Sequence, residues 1–458
     1  MLSALGTWHS ALCTLHSAFC TRYSVLGTWY LVLGTSYLVL TPRSPSASTS
    51  HISPQQLLAT KPPLARLIFR QPPQKVIIRS ADLQDAHLQN HLGRQEVVST
   101  PGLKILVTRL SHIGDCVLTL PMVCAIRDHL PNAHITWVVE KPTNQLLEGH
   151  DAIDELVVVP RGFLKQPRAV FALRRRLREL EIDVSIDPQS LTKSSIISFL
   201  GGVPRRLGLA RPLGRELAPI LNTELVSPGR PHLVDRSLDL LNALGIDSPG
   251  VRFSLPKNTA ADATIEQFLR SAHLGCDFAV INPGAGWPSK QWQPKKFGAI
   301  ARYLGQNYQV PTVVAWAGAA ELQMAELIEQ RSGGHAMLAP RTTLCELVSL
   351  FKRSLFYIGG DTGPMHMAAA VDTPCLGLFG PTLPENCGPY GLDGPTVGNT
   401  DGPHTTVQAF YQDTERKTND AAMKAIEVDM VTAACDEMLQ RLGKLRTRSS
   451  QQQGSRAA

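Results

Sequence analysis

The chain has 458 residues, room for two ordinary domains and a tail, and its 43% hydrophobic and 18% charged residues exclude a protein disordered throughout. Its nine cysteines contain no C-x-x-C pair and no metal-like spacing with histidine, so a reduced, intracellular setting is expected. A formal net charge of +7 and a pI near 8.9 suit an anionic partner, a nucleotide or a membrane surface, without choosing between them.

Residues 3–44 parse into six heptapeptides, from SALGTWH to LVLTPRS. Glycine, β-branched and aromatic residues, with no charged flanking positions, argue against a coiled coil. Val25–Leu40 is mostly apolar but short and broken by Gly27 and Gly34, which weakens a membrane reading. Residues 1–102 are therefore expected to be a disordered or mis-annotated extension, continuing through a Pro-, Ser- and Gln-rich stretch.

Folded sequence starts near Gly102. KILV (Lys104–Val107) predicts a strand, then come Ser111, His112, Gly114 and Asp115, a helix ending before Pro131, and strands at Ile135–Val139, Glu155–Val159 and Asp183–Asp187. A basic helix over Ala169–Leu180 carries Arg174, Arg175, Arg176 and Arg178, which suit either a solvated face or lipid headgroups. Strand and helix alternate, which predicts a doubly wound parallel sheet with ligands beyond the carboxyl ends of its strands. Asp115 stands there, as a general base or simply as a helix cap. Lys193 follows the strand ending at Asp187, and Arg205, Arg206, Arg211 and Arg215 offer guanidinium groups to an acidic acceptor or to solvent.

A boundary is expected within residues 246–275, beyond which the alternation restarts. FAVI (Phe278–Ile281) opens into NPGAGWPSKQWQPKKF, where Gly284, Gly286, Ser289 and Lys290 read as a phosphate cradle or a structural loop. This is not a Walker motif, because Lys290 lacks the preceding glycine and the following Ser or Thr. Glu321 lies past the strand Thr312–Trp316, where an acid accepts ribose hydroxyls or merely starts a helix. A strand at Leu355–Ile358, a turn Gly359–Gly363, a helix from Pro364 and a strand Cys375–Phe379 form a βαβ unit containing Asp361, Thr362, Gly363 and His366. No metal box and no Asp-x-Asp motif is present.

Together RLSHIGDCVLTLPMVCAIRDHLP, QSLTKSS, NPGAGWPSKQWQPKKF and GGDTGPMHMAAAVDTPCLGLFGPT resemble, in order, the motifs of glycosyltransferase family 9, the ADP-heptose:lipopolysaccharide heptosyltransferases. The resemblance implies a GT-B-like α/β fold of two doubly wound Rossmann-type domains facing across a cleft. Residues 103–255 would bind the acceptor and residues 256–445 the ADP-sugar, with residues 446–458 a disordered tail. It implies an inverting, metal-independent heptosyl transfer without a cofactor. Asp115 would be the base, with Lys290, Ser289, Glu321, Asp361, Thr362, Gly363 and His366 at the donor and Ser111, Lys193 and Arg211 at an acidic Kdo- or phosphate-bearing acceptor. The implied partners are ADP-heptose, a lipid-linked glycan and, by peripheral contact, the cytoplasmic face of the inner membrane, with no nucleic acid. Alternatives are a GT-B transferase using another nucleotide sugar or a protein acceptor, and a non-catalytic sugar-nucleotide-binding relic.

Overall fold

A computed structural model describes residues 102–391, 394–395, 402–411 and 419–444, and three short segments nearer the amino terminus. Those segments, Arg22–Val25, Thr28–Leu33 and Ser36–Leu40, pair in that order as an antiparallel meander within the heptapeptide region. The other residues of the expected extension before Gly102, and residues 446–458, lie outside the described residues.

From Lys104 onward the chain builds two parallel sheets. In the first, β1 (Lys104–Thr108), β2 (His134–Glu140), β3 (Glu155–Val159), β4 (Val184–Asp187), β5 (Arg205–Leu209) and β6 (Glu224–Val226) stand in the order β3-β2-β1-β4-β5-β6. The second repeats that order as β9-β8-β7-β10-β11-β12, from β7 (Ala279–Asn282), β8 (Thr312–Val314), β9 (Ala336–Leu338), β10 (Phe356–Gly360), β11 (Cys375–Phe379) and β12 (Thr405–Gln408). Each sheet thus reverses direction between its first and fourth strands. At such a switch point the adjoining loops diverge and leave a crevice.

Central strands read as unbroken apolar runs because helices cover both faces. On one face of the first sheet, Leu106, Val138, Leu173, Leu177 and Ile197 pack α3 (Pro167–Leu180) and α4 (Thr192–Gly201) against the strands. The opposite face carries α1 (Ile113–Val117) and α2 (Leu120–His129), whose core is continuous with one face of the second sheet. The α-helices longer than four residues that follow α4 among the described residues are α5 (Leu233–Asp239), α6 (Thr259–Ser271), α7 (Pro294–Tyr308), α8 (Gly318–Arg331), α9 (Leu344–Arg353), α10 (Gly363–Ala369) and α11 (Val428–Arg441). One helix was expected where α1 and α2 lie. Pro121 supplies no N–H to the carbonyl of Val117, so the helix breaks and restarts at Leu120.

Two further expectations change. Gly359 and Gly360 continue β10 instead of turning, since Gly359 pairs with Asn282 of β7 and Gly360 with Leu378 of β11. Arg205 and Arg206 belong to β5 and are engaged by the fold: Arg205 clasps the Glu224 carboxylate at 2.7 and 3.0 Å, and Arg206 donates to the carbonyls of Leu221 and Val203.

Asp187, fully buried at the end of β4, fastens that strand to the start of α4. Its carboxylate accepts from the hydroxyls of Ser195 (2.5 Å) and Ser194 (2.9 Å) and from the Ser190 N–H (2.8 Å). Burial pushes its carboxyl up to about 6 even though these hydrogen bonds and Arg109 pull the other way. A folded-state value above the ordinary 3.8 means that folding binds a proton between these limits, so this contribution is present below pH 4 and lost as pH rises through 6. It amounts to about 3 kcal/mol. Thermal melts between pH 4.5 and 8 should show a fall in stability with rising pH that is absent from Asp187→Asn; identical pH slopes would contradict this assignment.

Candidate active site

The switch point of the first sheet is formed by the segments after β1 and β4. Trp137, fully buried on β2, donates its indole N–H to the Arg109 carbonyl at 2.9 Å, which fixes the exit from β1. The Arg109 side chain is itself buried; it donates to the Pro188 carbonyl at 3.1 Å and meets Asp115 Oδ2 at 2.6 Å. The His112 N–H adds a bond of 3.3 Å to the same oxygen. Asp115 remains one-third exposed. Burial would raise its carboxyl, but the Arg109 guanidinium and the His112 hydrogen bonds outweigh that and hold it well below the usual carboxylate range. Beside it Lys193 Nζ donates to Ser111 Oγ at 2.7 Å, and the Gln189 side chain accepts from the Leu110 N–H at 3.0 Å.

The switch point of the second sheet holds a denser cluster. Asp361 follows β10 and is almost fully buried. Lys290, from the short 3-10 turn Pro288–Lys290 after β7, reaches Asp361 Oδ2 at 2.5 Å. His366, in α10 (Gly363–Ala369), lies 3.4 Å from Oδ1. Burial alone would favour the neutral acid, yet the His366 and Lys290 contacts keep Asp361 ionised, well below the usual range. Cys387 completes the shell, its thiol donating to Oδ2 at 3.4 Å and kept neutral by its own burial. Lys290 also lies 5.2 Å from the centre of the Trp287 ring, a cation–π contact. Among the described residues no group of three His, Cys, Asp or Glu could hold a metal ion.

These two places adjoin. Gly114 lies inside α1 where a Cβ would fall 2.6 Å from His366 Cδ2 and 3.1 Å from Gly363 Cα, so only glycine lets α1 and α10 approach this closely. The close approach sets the residue after Gly114, Asp115, beside the segment that carries Asp361.

Of the residues expected from sequence, Lys290, Asp361, Gly363 and His366 therefore cluster with Asp115, and Ser111 pairs with Lys193. Ser289 is buried in the Lys290 turn, and Thr362 donates its hydroxyl to the Gly360 carbonyl at 3.3 Å. Glu321 stands one strand away, near the start of α8 (Gly318–Arg331), accepting from the Ala317 N–H at 2.8 Å and packed on Gly284. Its carboxyl is raised by burial. Arg211 is exposed and donates to the Glu216 carbonyl at 3.4 Å, apart from the ion pairs. Sequence reasoning passed over Arg109, Trp287 and Cys387. Arg109 was visible as the first residue beyond β1, and Trp287 as an aromatic three residues before the lysine.

Residues 170–413 match the family model described as glycosyltransferase family 9 (heptosyltransferase). Lipopolysaccharide heptosyltransferase 1 of Pseudomonas aeruginosa is 30% identical over 302 residues, 63% of this chain and 82% of that protein. Its counterpart in Salmonella typhimurium is 26% identical over 312 residues, 63% of this chain and 92% of its own length. Among solved structures, a family 9 glycosyl transferase from Veillonella parvula superposes with a TM-score of 0.61 at 24% identity, covering 74% of this chain and 97% of its own. The E. coli heptosyltransferase WaaC with ADP gives 0.58 at 20% identity, covering 73% and 100%. At these identities the structural likeness speaks for the fold alone, two Rossmann-type lobes of the GT-B class. With its motifs, its duplicated sheet order and the family match over more than half its length, the chain belongs to glycosyltransferase family 9, the heptosyltransferases, and is a glycosyltransferase.

Proposed function

We propose that this enzyme moves a heptose from ADP-heptose to an acidic, lipid-linked lipopolysaccharide core acceptor, inverting the anomeric carbon without a metal ion. The donor reading is supported by the relatives named lipopolysaccharide heptosyltransferase and by the WaaC structures carrying ADP and ADP-2-deoxy-2-fluoro heptose. The observation that carries it is the pairing across Gly114 and Gly363 of a carboxylate on one sheet's switch point with a lysine and histidine on the other's.

In this reading residues 103–255 take the acceptor and residues 256–445 the donor. Asp115 accepts the proton of the acceptor hydroxyl as that oxygen bonds to the anomeric carbon, and the bond from that carbon to the diphosphate oxygen breaks on the opposite face. The electron pair leaves with ADP, and Lys290, aided by His366, offsets the charge that grows there. Asp361 sets the positions of Lys290 and His366. Ser289, Thr362 and Gly363 line the donor site, with Glu321 toward the nucleoside, while Ser111, Lys193 and Arg211 face acidic groups of the acceptor. The described cysteines are all free, which suits work at the cytoplasmic face of the inner membrane. No helix among the described residues is long and apolar enough to cross a membrane. In this reading contact with the lipid is peripheral.

Two outcomes test these roles. Asp115→Asn should lower kcat by about 10²–10⁴-fold while calorimetric ADP affinity stays within about twofold; weaker ADP binding with normal turnover would move Asp115 to the donor side. Lys290→Met, checked for folding by circular dichroism because it leaves Asp361 short of a partner, should weaken ADP binding by about 10–100-fold. Unchanged ADP affinity in the folded variant would remove Lys290 from the diphosphate.

A further inference from the structure

The basic stripe of α3 is not used by the chemistry above. Leu173 and Leu177 of this helix are buried against the first sheet, whereas Phe171 on the outer side is 65% exposed. Arg174, Arg175 and Arg178 recur with Phe171 at helical spacing and line one shallow concavity with it. Glu179 also borders that concavity and lies 3.7 Å from Arg175, and Arg176 is engaged by Glu155 at 2.8 Å. No ion pair joins Arg174 or Arg178 to a carboxylate among the described residues. An aromatic ring held in water among arginines, on a helix already anchored by its other face, is an unusual use of a large apolar side chain.

The layer beside α3 carries the same pattern. α4 packs on α3, with Gly201 so close to Leu177 that a Cβ would lie 3.1 Å from the leucine's own. Phe199 of α4 is 51% exposed, with the Arg206 guanidinium 5.8 Å from its ring centre. Next to α4 comes the short helix Ala218–Leu221, whose Ile220 is 61% exposed and whose N-cap residue Leu217 is 55% exposed. Three neighbouring helices therefore present apolar tips amid arginines on the face of the first sheet opposite α1 and α2.

We propose that this outer surface of α3, α4 and Ala218–Leu221 docks on an anionic phospholipid bilayer, the aromatic and aliphatic tips entering the headgroup layer while the arginines meet lipid phosphates. Charge complementarity selects this occupant. Guanidinium groups pair with phosphate, and their aliphatic stems cover apolar surface while the charge stays at the interface, whereas a second copy of the surface would set arginines against arginines. The surface also leads to the candidate acceptor residues: the Leu217 N–H donates to Thr192 Oγ1 at 3.1 Å, and the next residue, Lys193, bonds Ser111. The inference deepens the lipid-linked acceptor reading by naming the face that would hold the enzyme at its substrate.

Flotation of the full chain with vesicles tests it, free of donor and acceptor. The chain should float with mixed phosphatidylglycerol and phosphatidylcholine vesicles and less with phosphatidylcholine alone. Arg174→Glu combined with Arg175→Glu should weaken binding at least tenfold, from a loss of about fivefold per arginine. Phe171→Ser should also reduce it, and Arg174→Lys with Arg175→Lys should retain it. Wild-type binding that survives both disruptive variants, binding indifferent to lipid charge, or a dimer that Phe171→Ser dissociates would each overturn the proposal. Transfer to a deacylated, water-soluble acceptor, measured without vesicles, should be equal in all variants. Its failure in the wild-type enzyme would count against the transferase reading alone, because the flotation assay contains neither substrate.

Discussion

An ionised carboxylate removed from water has to be compensated at once, and Asp361 imposes that condition on the whole candidate site. Its partners come from separate pieces of chain: Lys290 from the turn after β7, His366 from α10 and Cys387 from beyond β11. Satisfying one carboxylate therefore ties together the two segments that flank the second sheet's switch point. His366 in turn is the surface on which Gly114 rests, so the tie extends to the first sheet and to the placement of Asp115. Removing a partner would leave a buried charge uncompensated and loosen several elements together, which gives the cluster a structural role beside the proposed chemical one.

The first sheet meets a similar condition by other means. Asp187 relies on neutral donors, two serine hydroxyls and backbone N–H groups, which do not offset its burial, so its carboxyl is pushed upward, whereas the Lys290 and His366 contacts outweigh burial at Asp361 and drive it down. Arg109 joins separate segments of the first lobe: its carbonyl is pinned by Trp137, its guanidinium by Pro188 and Asp115. The same residue thereby links the core of the first sheet to the group proposed to take a proton. Both sheets thus place a fixed cation against a carboxylate at the same topological position, where the strand order reverses.

Much of the architecture was legible because parallel strands buried on both faces leave short apolar runs between helices. Glu155–Val159 and Cys375–Phe379 coincide with the expected strands to the residue. The omitted strands lack that signature. Arg205–Leu209 begins with two arginines whose charges are absorbed by Glu224 and by backbone carbonyls, and Glu224–Val226, Ala336–Leu338 and Thr405–Gln408 are short or lie at sheet edges. In the site, residues in glycine-rich segments after strands could be named, but the reason for Gly114 could not: its role is to admit His366 from a helix some 250 residues away, a contact that no local pattern encodes. For the same reason Arg109, just past the expected strand Lys104–Val107, was not singled out. Its importance lies in a partner six positions on, reached only after the chain has turned into α1.

That ion pair bears on how the proposed reaction would run. A carboxylate held by a guanidinium stays ionised, but its affinity for a proton is reduced, which is the wrong direction for a base. The pair is also partly open to solvent, and Lys193 stands nearby on Ser111. An acceptor bearing carboxylate or phosphate groups would compete with Asp115 for these cations and, by drawing the guanidinium toward itself, return basicity to Asp115 as the hydroxyl arrives. On the proposed reading the acidity of the acceptor is then more than a recognition feature. The enzyme would hold its base in a weak state until a substrate of the right charge relieves it, so selectivity would reside in the chemical step as well as in binding.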